Sequence, residues 1–467
     1  MTKKRMSTNI QKRLSCRVAD DREVLGGAGE AGSVLIVTIW VVLVLAGLTL
    51  VFSRAMRVEA IATANHISSL EAEEIAIGAI EFVKARLDSY DDTDIKLEGE
   101  TPYEAIPAGD GYFWLLRPDL DDDDAYYYGI RDESAKVNLN EADYETLMNL
   151  PNMTSELAGS IIDWRDSDSE VYAVGGAEDE YYLLLDEPYY CKNSELETVE
   201  EVLLIKGASL EILFGEDMNR NGILDPNEND GDESEPDDNR NGRLDSGFYD
   251  YVTVYSKEPN VNSSGEQRID ITSNEGKQSL QSLLQQAGLS SDQFLLQQFL
   301  RVYNFSSILD FYIEARNYLG LTEDQFKQIE NEISTSSYET VSGLINIMTT
   351  PKEVLMCLPD IDESDAETLV RVRKSDDIDT DSMAWVADVL PEKASDLGKY
   401  ITIHSYQHSA DIIGASRDGR TFARYRIVID STDDGLDVVY CKSLKHLGWP
   451  LDSEILTALR SGEELED

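Results

Sequence analysis

Positive charge is scarce in this sequence. Its 467 residues carry 40 Lys and Arg against 91 Asp and Glu, a formal net charge of -51. Each phosphate contact to a nucleic acid draws on a Lys or Arg, so the charge excludes nucleic acid as a main partner. Docking on an anionic lipid surface is disfavoured for the same reason. So acidic a body suits high solubility, cation binding or a basic partner. Cysteine is sparse too: Cys16, Cys191, Cys357 and Cys441 form no CxxC pair, so their spacing offers neither a zinc site nor a disulfide framework. A Cys191–Cys441 bridge in an oxidising compartment and free thiols throughout both stay open. Catalytic sets are missing: the chain has no GxSxG, no phosphate-binding glycine loop and no HExxH. His404 and His408 fall in a strand-like stretch, where residues four apart are separated by about 13 Å, too far to share one zinc. No enzymatic activity is expected.

Long hydrophobic runs are also lacking, with one exception. Ser33 to Ser53 contains no charged residue. At about 1.5 Å per residue, a helix of that length crosses a bilayer core of about 30 Å. Before it come Lys3, Lys4, Arg5, Lys12, Arg13, Arg17 and Arg22, then the small-residue run ending at Gly32. The basic flank predicts a cytoplasmic N-terminus and a translocated body. A secretory signal peptide would have a shorter apolar region, with its small residues after it. A plain signal anchor leaves the glycine before the run unexplained. No proline occurs before Pro102, and Ala76, Ala79, Ile80, Val83 and Leu87 recur at helical spacing. One helix is therefore expected from about Ser33 to Leu87, apolar all round at first and amphipathic later.

The body contains a repeat. Val137–Arg165 (VNLNEADYETLMNLPNMTSELAGSIIDWR) aligns without a gap on Ile345–Arg373 (INIMTTPKEVLMCLPDIDESDAETLVRVR). Asn138 matches Asn346, Leu150-Pro151 matches Leu358-Pro359, and Arg165 matches Arg373. Each copy reads as a short strand, a helix, a proline-marked turn and a second helix. That layout is like a helix-hairpin-helix (SAM-like) unit. DNA-binding versions present glycine-rich turns to phosphate, whereas these turns hold acids and no glycine, so a packing unit is the expectation. Further helices are expected at Thr198–Ile205, Lys277–Ala287, Ser291–Tyr303 and from Phe305 onward. Strands are expected at Gly111–Arg117, Tyr126–Arg131, Tyr400–Tyr406 and Thr421–Ser431. In the last, Ala423, Tyr425, Ile427 and Ile429 alternate with Arg424, Arg426, Val428 and Asp430, as in a half-buried strand. Asp418-Gly419 is a hairpin signal. The fold class is α+β: an antiparallel sheet interrupted by an inserted all-α domain.

The sharpest chemical signal is an acidic loop at 215–246. Asp217 to Glu228 (DMNRNGILDPNE) fits D-x-[DN]-x-[DN]-G-x5-E, the pattern of a calcium loop. Asp217, Asn219 and Asn221 would supply side-chain oxygens, Ile223 its carbonyl, Asp225 a water-bridged contact and Glu228 a bidentate one, with Gly222 making the turn. A second copy follows with Asp237, Asn239, Asn241, Arg243 at the carbonyl position, and Asp245. Its twelfth position is Phe248, so it is incomplete or borrows a ligand such as Asp250. Two phased copies point to calcium, and asparagine at two ligand positions points to weak affinity. No long helix leaves either loop, so structural clips are expected rather than a sensor that opens.

The chain resembles the protein K family of the type II (general) secretion pathway, which are minor pseudopilins. The resemblance rests on the basic leader ending in glycine, the apolar helix from Ser33, the VNLN and INIM units, DWRD at 163–166, ETVEEVLLIKG at 197–207 and YSKEPNVN at 255–262. It implies leader cleavage between Gly32 and Ser33 with N-methylation by the prepilin peptidase, a pilin-like head, and bound calcium. It implies assembly in the inner membrane with the I and J minor pseudopilins and the major pseudopilin. The domains would be a leader (1–32), a transmembrane segment (33–53), a first part of the head (54–131), the inserted helical domain (132–390) and a second part of the head (391–467). The fifth mature residue would be Val37, where ordinary pilins carry a glutamate. A minor pilin of a type IV pilus would share the anchor but leaves the two repeat units unexplained.

Overall fold

The computed structural model describes residues 29–88, 103–120, 125–231, 233–289, 293–375, 378–432, 435–463 and 465. Most of the expected leader, and Cys16, lie outside them. Contacts divide the chain into two compact units, one ending at Ala64 and the other Asn65–Asp467.

A single helix runs from Gly29 to Asp88 and includes Gly32 and Ser33. From Val34 it is apolar and long enough to cross a membrane, and its apolar window is not buried by protein, which fits a single-pass anchor. In the second unit the same helix turns amphipathic. Ala72, Ile75, Ala76, Ala79, Val83 and Leu87 are buried against a sheet.

That sheet is antiparallel, in the order Ile106–Ala108, Gly111–Leu116, Gln407–Ala415, Phe422–Asp430, Asp437–Ser443. The helix approaches it closely enough that a Cβ on Gly414 would stand 2.7 Å from the Ala72 carbonyl oxygen. The run of alanines on the helix is what permits this approach. On this face Phe113, Leu115, Ile412, Ile427 and Ile429 form the core, and on the other Trp114, Leu116, Ile413 and Leu459 of the C-terminal helix Ser453–Ser461.

Several sequence expectations need correction. Tyr126–Arg131 contributes only a bridge at Tyr128 and a short strand, Arg131–Asp132. Of Tyr400–Tyr406 only Ile401–Thr402 is strand. The central strand Gln407–Ala415 follows it, and its sequence QHSADIIGA shows no alternation because both its faces are buried. For the same reason Phe422–Asp430 is not half-buried: Arg424, Arg426 and Asp430 are buried as well. Thr198–Ile205 forms a 3-10 turn over Val199–Leu204 rather than an α-helix. The three described cysteines, Cys191, Cys357 and Cys441, are free.

The chain leaves the sheet after Asp132 and returns at Gln407. The two crossings are tied together, because the Asp132 carboxylate accepts from the Asn346 amide at 3.0 Å and from the hydroxyls of Thr349 and Ser405. Between them stand three modules, each closed by a parallel pair of two-residue strands. Val137–Asn138 pairs with Val252–Thr253, Ile269–Asp270 with Ile333–Ser334, and Ile345–Asn346 with Ile401–Thr402. The opening strands share one turn: Asn138, Asp270 and Asn346 each accept, through Oδ1, the N–H two residues on at 2.9 Å. The closing strands share another, in which Thr253, Ser334 and Thr402 accept from the N–H of Tyr255, Ser336 and His404. Such Asx and ST turns satisfy backbone donors where a strand ends after two residues.

The first and third modules are the sequence repeat. Their second helices are Ser155–Arg165 and Glu363–Arg373. Arg165 donates to the carbonyls of Leu139 and Ala142, and Arg373 to the matched carbonyls of Ile347 and Thr350. The turns place Asn152 at φ 56 and Asp360 at φ 61. Asn and Asp tolerate this left-handed region best after glycine, so the turn needs no glycine. A lysine at 373 would reach one carbonyl only. Arg373→Lys is expected to cost about 1–3 kcal/mol, measured by urea unfolding, for the buried carbonyl left unmatched.

Glu330 gives a pH test of the second module. Wholly buried, it accepts from the Ser382 hydroxyl at 2.6 Å and from the Met383 N–H at 2.9 Å. Burial pushes its carboxyl up to about 7. The folded chain thus holds a proton that the unfolded chain releases. This contribution is fully present below the ordinary glutamate value and is lost as pH rises through about 7. It amounts to about 3 kcal/mol. Glu330→Gln should flatten that part of the stability–pH profile, and an unchanged slope would count against the assignment.

Candidate cation sites

The loop Asp217–Glu228 is built against the sheet. Asp217 is buried, and its two carboxylate oxygens accept the N–H groups of Asn221 at 3.0 Å and Gly222 at 2.9 Å. The amides of Asn219 and Asn221 both reach Asp225 Oδ2, at 2.5 and 3.1 Å, so the third, fifth and ninth positions converge. Glu228 folds back, and one oxygen accepts from the Asp225 N–H at 3.1 Å. Its other oxygen, and Asn219 Oδ1, are buried without a hydrogen-bond partner. Buried oxygens of that kind cost free energy unless something satisfies them, and a hard cation with oxygen ligands would. Burial, and then the charge of Asp250, pushes the Asp217 carboxyl up to about 6. Burial and Asp217 together push Glu228 up to about 8. Ile223 follows in the turn, its N–H bonded to Asn221 Oδ1 at 2.8 Å.

The second copy repeats this geometry on the surface. The Asn239 and Asn241 amides reach Asp245 Oδ2 at 2.5 and 3.0 Å, and the Arg243 N–H bonds Asn241 Oδ1 at 2.7 Å. Arg220 and Arg240 have φ 58 and 56, and Gly222 and Gly242 φ 73 and 74. The first position differs: Gly242 N–H donates to Asn229 Oδ1 at 3.2 Å rather than to Asp237, which is exposed. Phe248 is a core residue. Asp250 is held by Arg131 and so does not lend itself to this loop. The carboxylate that does reach it is Glu216, whose Oε2 accepts the Asp245 N–H at 3.1 Å.

A third cluster was not singled out from the sequence. Asp166, Asp168 and Glu178 bring carboxylate oxygens within 4.8 Å of one another, which Asp217, Asp225 and Glu228 do not do as a trio. Asp166 caps the helix Ser155–Arg165 and accepts the Asp168 N–H at 3.2 Å. The connecting loop lies hard on that helix, since a Cβ on Gly176 would be 2.2 Å from Asp163 Oδ2. Glu178 is 3 % exposed, and neither of its oxygens has a hydrogen-bond partner. Burial raises it above the usual carboxylate range, as do Asp163 and Asp166; Asp163 and Asp166 are raised as well, chiefly by burial. The signal in the sequence is the D-x-D at 166–168 with Glu178 two residues after the glycine pair Gly175-Gly176.

Residues 129–213 match the family model described as type II secretion system (T2SS), protein K. Over that stretch the resemblance to protein K of the type II secretion pathway read from the sequence is borne out. One solved structure, the GspK-GspI-GspJ complex from the type 2 secretion system of enterotoxigenic Escherichia coli, contains a chain similar to this one at 11% identity with a TM-score of 0.38, over 83% of this chain and 98% of that chain. No curated protein matches the sequence. The family match includes the Asp166–Asp168–Glu178 cluster and ends at Leu213, before the acidic loop.

If cations fill these sites, Glu178→Gln and Asp217→Ala should each remove part of the calcium-dependent rise in melting temperature. For one site at a hundred times its dissociation constant the rise reflects about 2.7 kcal/mol. In chelator, Glu178→Gln should melt no lower than the wild type, because it removes an unsatisfied buried charge. Identical melting of wild type and both variants with calcium and with chelator would remove the cation reading.

Proposed function

We propose that this protein is a minor pseudopilin at the tip of the type II secretion pseudopilus, helping to start its assembly and so the export of proteins across the outer membrane. The observation that carries the reading is the family match over residues 129–213, on a chain whose N-terminal helix is apolar enough to cross a membrane. The role is structural rather than catalytic. The helix would anchor the chain once in the inner membrane, with the basic leader in the cytoplasm and the acidic body in the periplasm. Partners would be the I and J minor pseudopilins and the major pseudopilin, with the prepilin peptidase as processing enzyme and no nucleic acid. The pilin-like part would be the long helix and its sheet, and the helix-hairpin-helix-like modules would be the inserted domain.

Val37 supports the tip placement. In a stacked filament a buried glutamate at the fifth mature position needs the terminal amine of a neighbour, and without one its charge would be costly in the membrane. A subunit with nothing ahead of it does without that pair. Calcium would be held by Asp166, Asp168 and Glu178 and by the loop Asp217, Asn219, Asn221, Ile223, Asp225 and Glu228. It would supply the positive charge that those buried oxygens lack.

Mass spectrometry of the mature protein tests processing: the N-terminus should be methylated Ser33. A chain starting at Met1 in cells with active prepilin peptidase would contradict it. A tagged copy should label one end of purified filaments, and label along the shaft would contradict the tip assignment.

A further inference from the structure

Arg424 lies in the middle of the sheet and is completely buried. Its guanidinium is shared between two partners. Nε and one terminal nitrogen hold the Asp411 carboxylate, at 3.0 and 2.7 Å. The two terminal nitrogens also donate to the backbone carbonyls of Asn219 and Arg220, at 2.6 and 2.7 Å. Those carbonyls belong to the third and fourth positions of the loop Asp217–Glu228, some two hundred residues away in sequence. Other contacts pin the same turn. Asn221 donates to the Pro450 carbonyl at 3.1 Å, and a Cβ on Gly222 would stand 2.5 Å from Pro118 Cβ. The Arg220 guanidinium stacks over Phe214 at 3.9 Å and pairs with Glu200, which also binds Lys442 of the edge strand at 2.9 Å.

We propose that Arg424 is a positioning residue for the cation site in the loop, so that calcium binding there fastens the inserted domain onto the sheet. The proposal rests on the cation reading of this loop. Outer partners that fix first ligands commonly change metal affinity by 10–100-fold. Arg424 sets the backbone on which the Asn219 side chain is mounted, two residues before Asn221. By reciprocity, a cation that prefers the ordered loop strengthens the contact of that loop with the sheet.

The test is calcium titration calorimetry on the mature full-length protein in detergent, with Glu178→Gln as background so that the loop site is read alone. Arg424→Lys keeps a positive charge beside Asp411 but cannot bridge two carbonyls. It should weaken calcium binding about tenfold. Tyr440→Phe is the control. It removes another tie at this junction, the phenol hydroxyl 3.2 Å from Glu200, without touching the loop carbonyls. It should leave calcium affinity within about twofold while lowering the melting temperature. Wild-type affinity in Arg424→Lys, with binding lost in Asp217→Ala, overturns the linkage and leaves the cation reading intact. No binding by the background protein overturns both. Should Arg424→Lys fail to fold, trypsin digestion of the wild type decides. Calcium should protect the bond after Arg420, in the sheet hairpin, together with the bond after Arg220, and protection of the loop alone overturns the proposal.

Discussion

A buried arginine that must satisfy both a carboxylate and two carbonyls constrains the whole second unit. Asp411 and Arg424 face each other across the two central strands, at a register that pairs Ile413 with Arg424 and Asp411 with Arg426. Removing Asp411 would leave the Arg424 charge without its carboxylate in a dry interior, and removing Arg424 would leave Asp411 only the longer contact to Arg426, at 3.4 Å. The pair therefore fixes which face of the sheet receives the inserted domain, while the alanine-rich helix takes the opposite face. The sheet has no solvent-facing side at its centre, which is why its two longest strands read so poorly as alternating patterns.

The insertion is held at two points. At its crossings, Asp132 ties the departing strand to Asn346, Thr349 and Ser405. At its far side, the acidic loop is tied to Arg424. Between them the three modules repeat one solution to one problem. A chain that makes only two-residue strands must satisfy its backbone groups locally, and Asn138, Asp270 and Asn346 do so with the same turn. The large core of the insertion runs through all three modules, from Val137 to Ile403.

Legibility in the sequence followed the physics of each signal. The long helix was plain, because an uncharged run followed by a stripe of alanines has few other readings. Two modules were found because Asn138, Pro151 and Arg165 recur together as Asn346, Pro359 and Arg373. The second module, opening at Ile269–Asp270, escaped: its turn is marked by Asp270 and Thr272, and its inner helices share no proline-marked turn with the others. Gln407–Ala415 escaped because burial on both faces erases alternation. In the loop, Asp217 to Glu228 was legible from spacing alone. Nothing in the spacing could reveal that Glu216, rather than Asp250, reaches the second copy, since that depends on Arg131 holding Asp250 elsewhere. The Asp166–Asp168–Glu178 cluster depends on a loop closing over a helix, which is a tertiary event.

The central claim is that sheet and insertion form one cooperative body, joined through the acidic loop. Native-state hydrogen exchange of the amides in Phe422–Asp430 and in the helix Ser155–Arg165, with calcium and with chelator, measures this directly. The account predicts that protection rises with calcium in both segments together, because both open only when the junction opens. Protection that rises in the helix while the strand Phe422–Asp430 exchanges at an unchanged rate would contradict it.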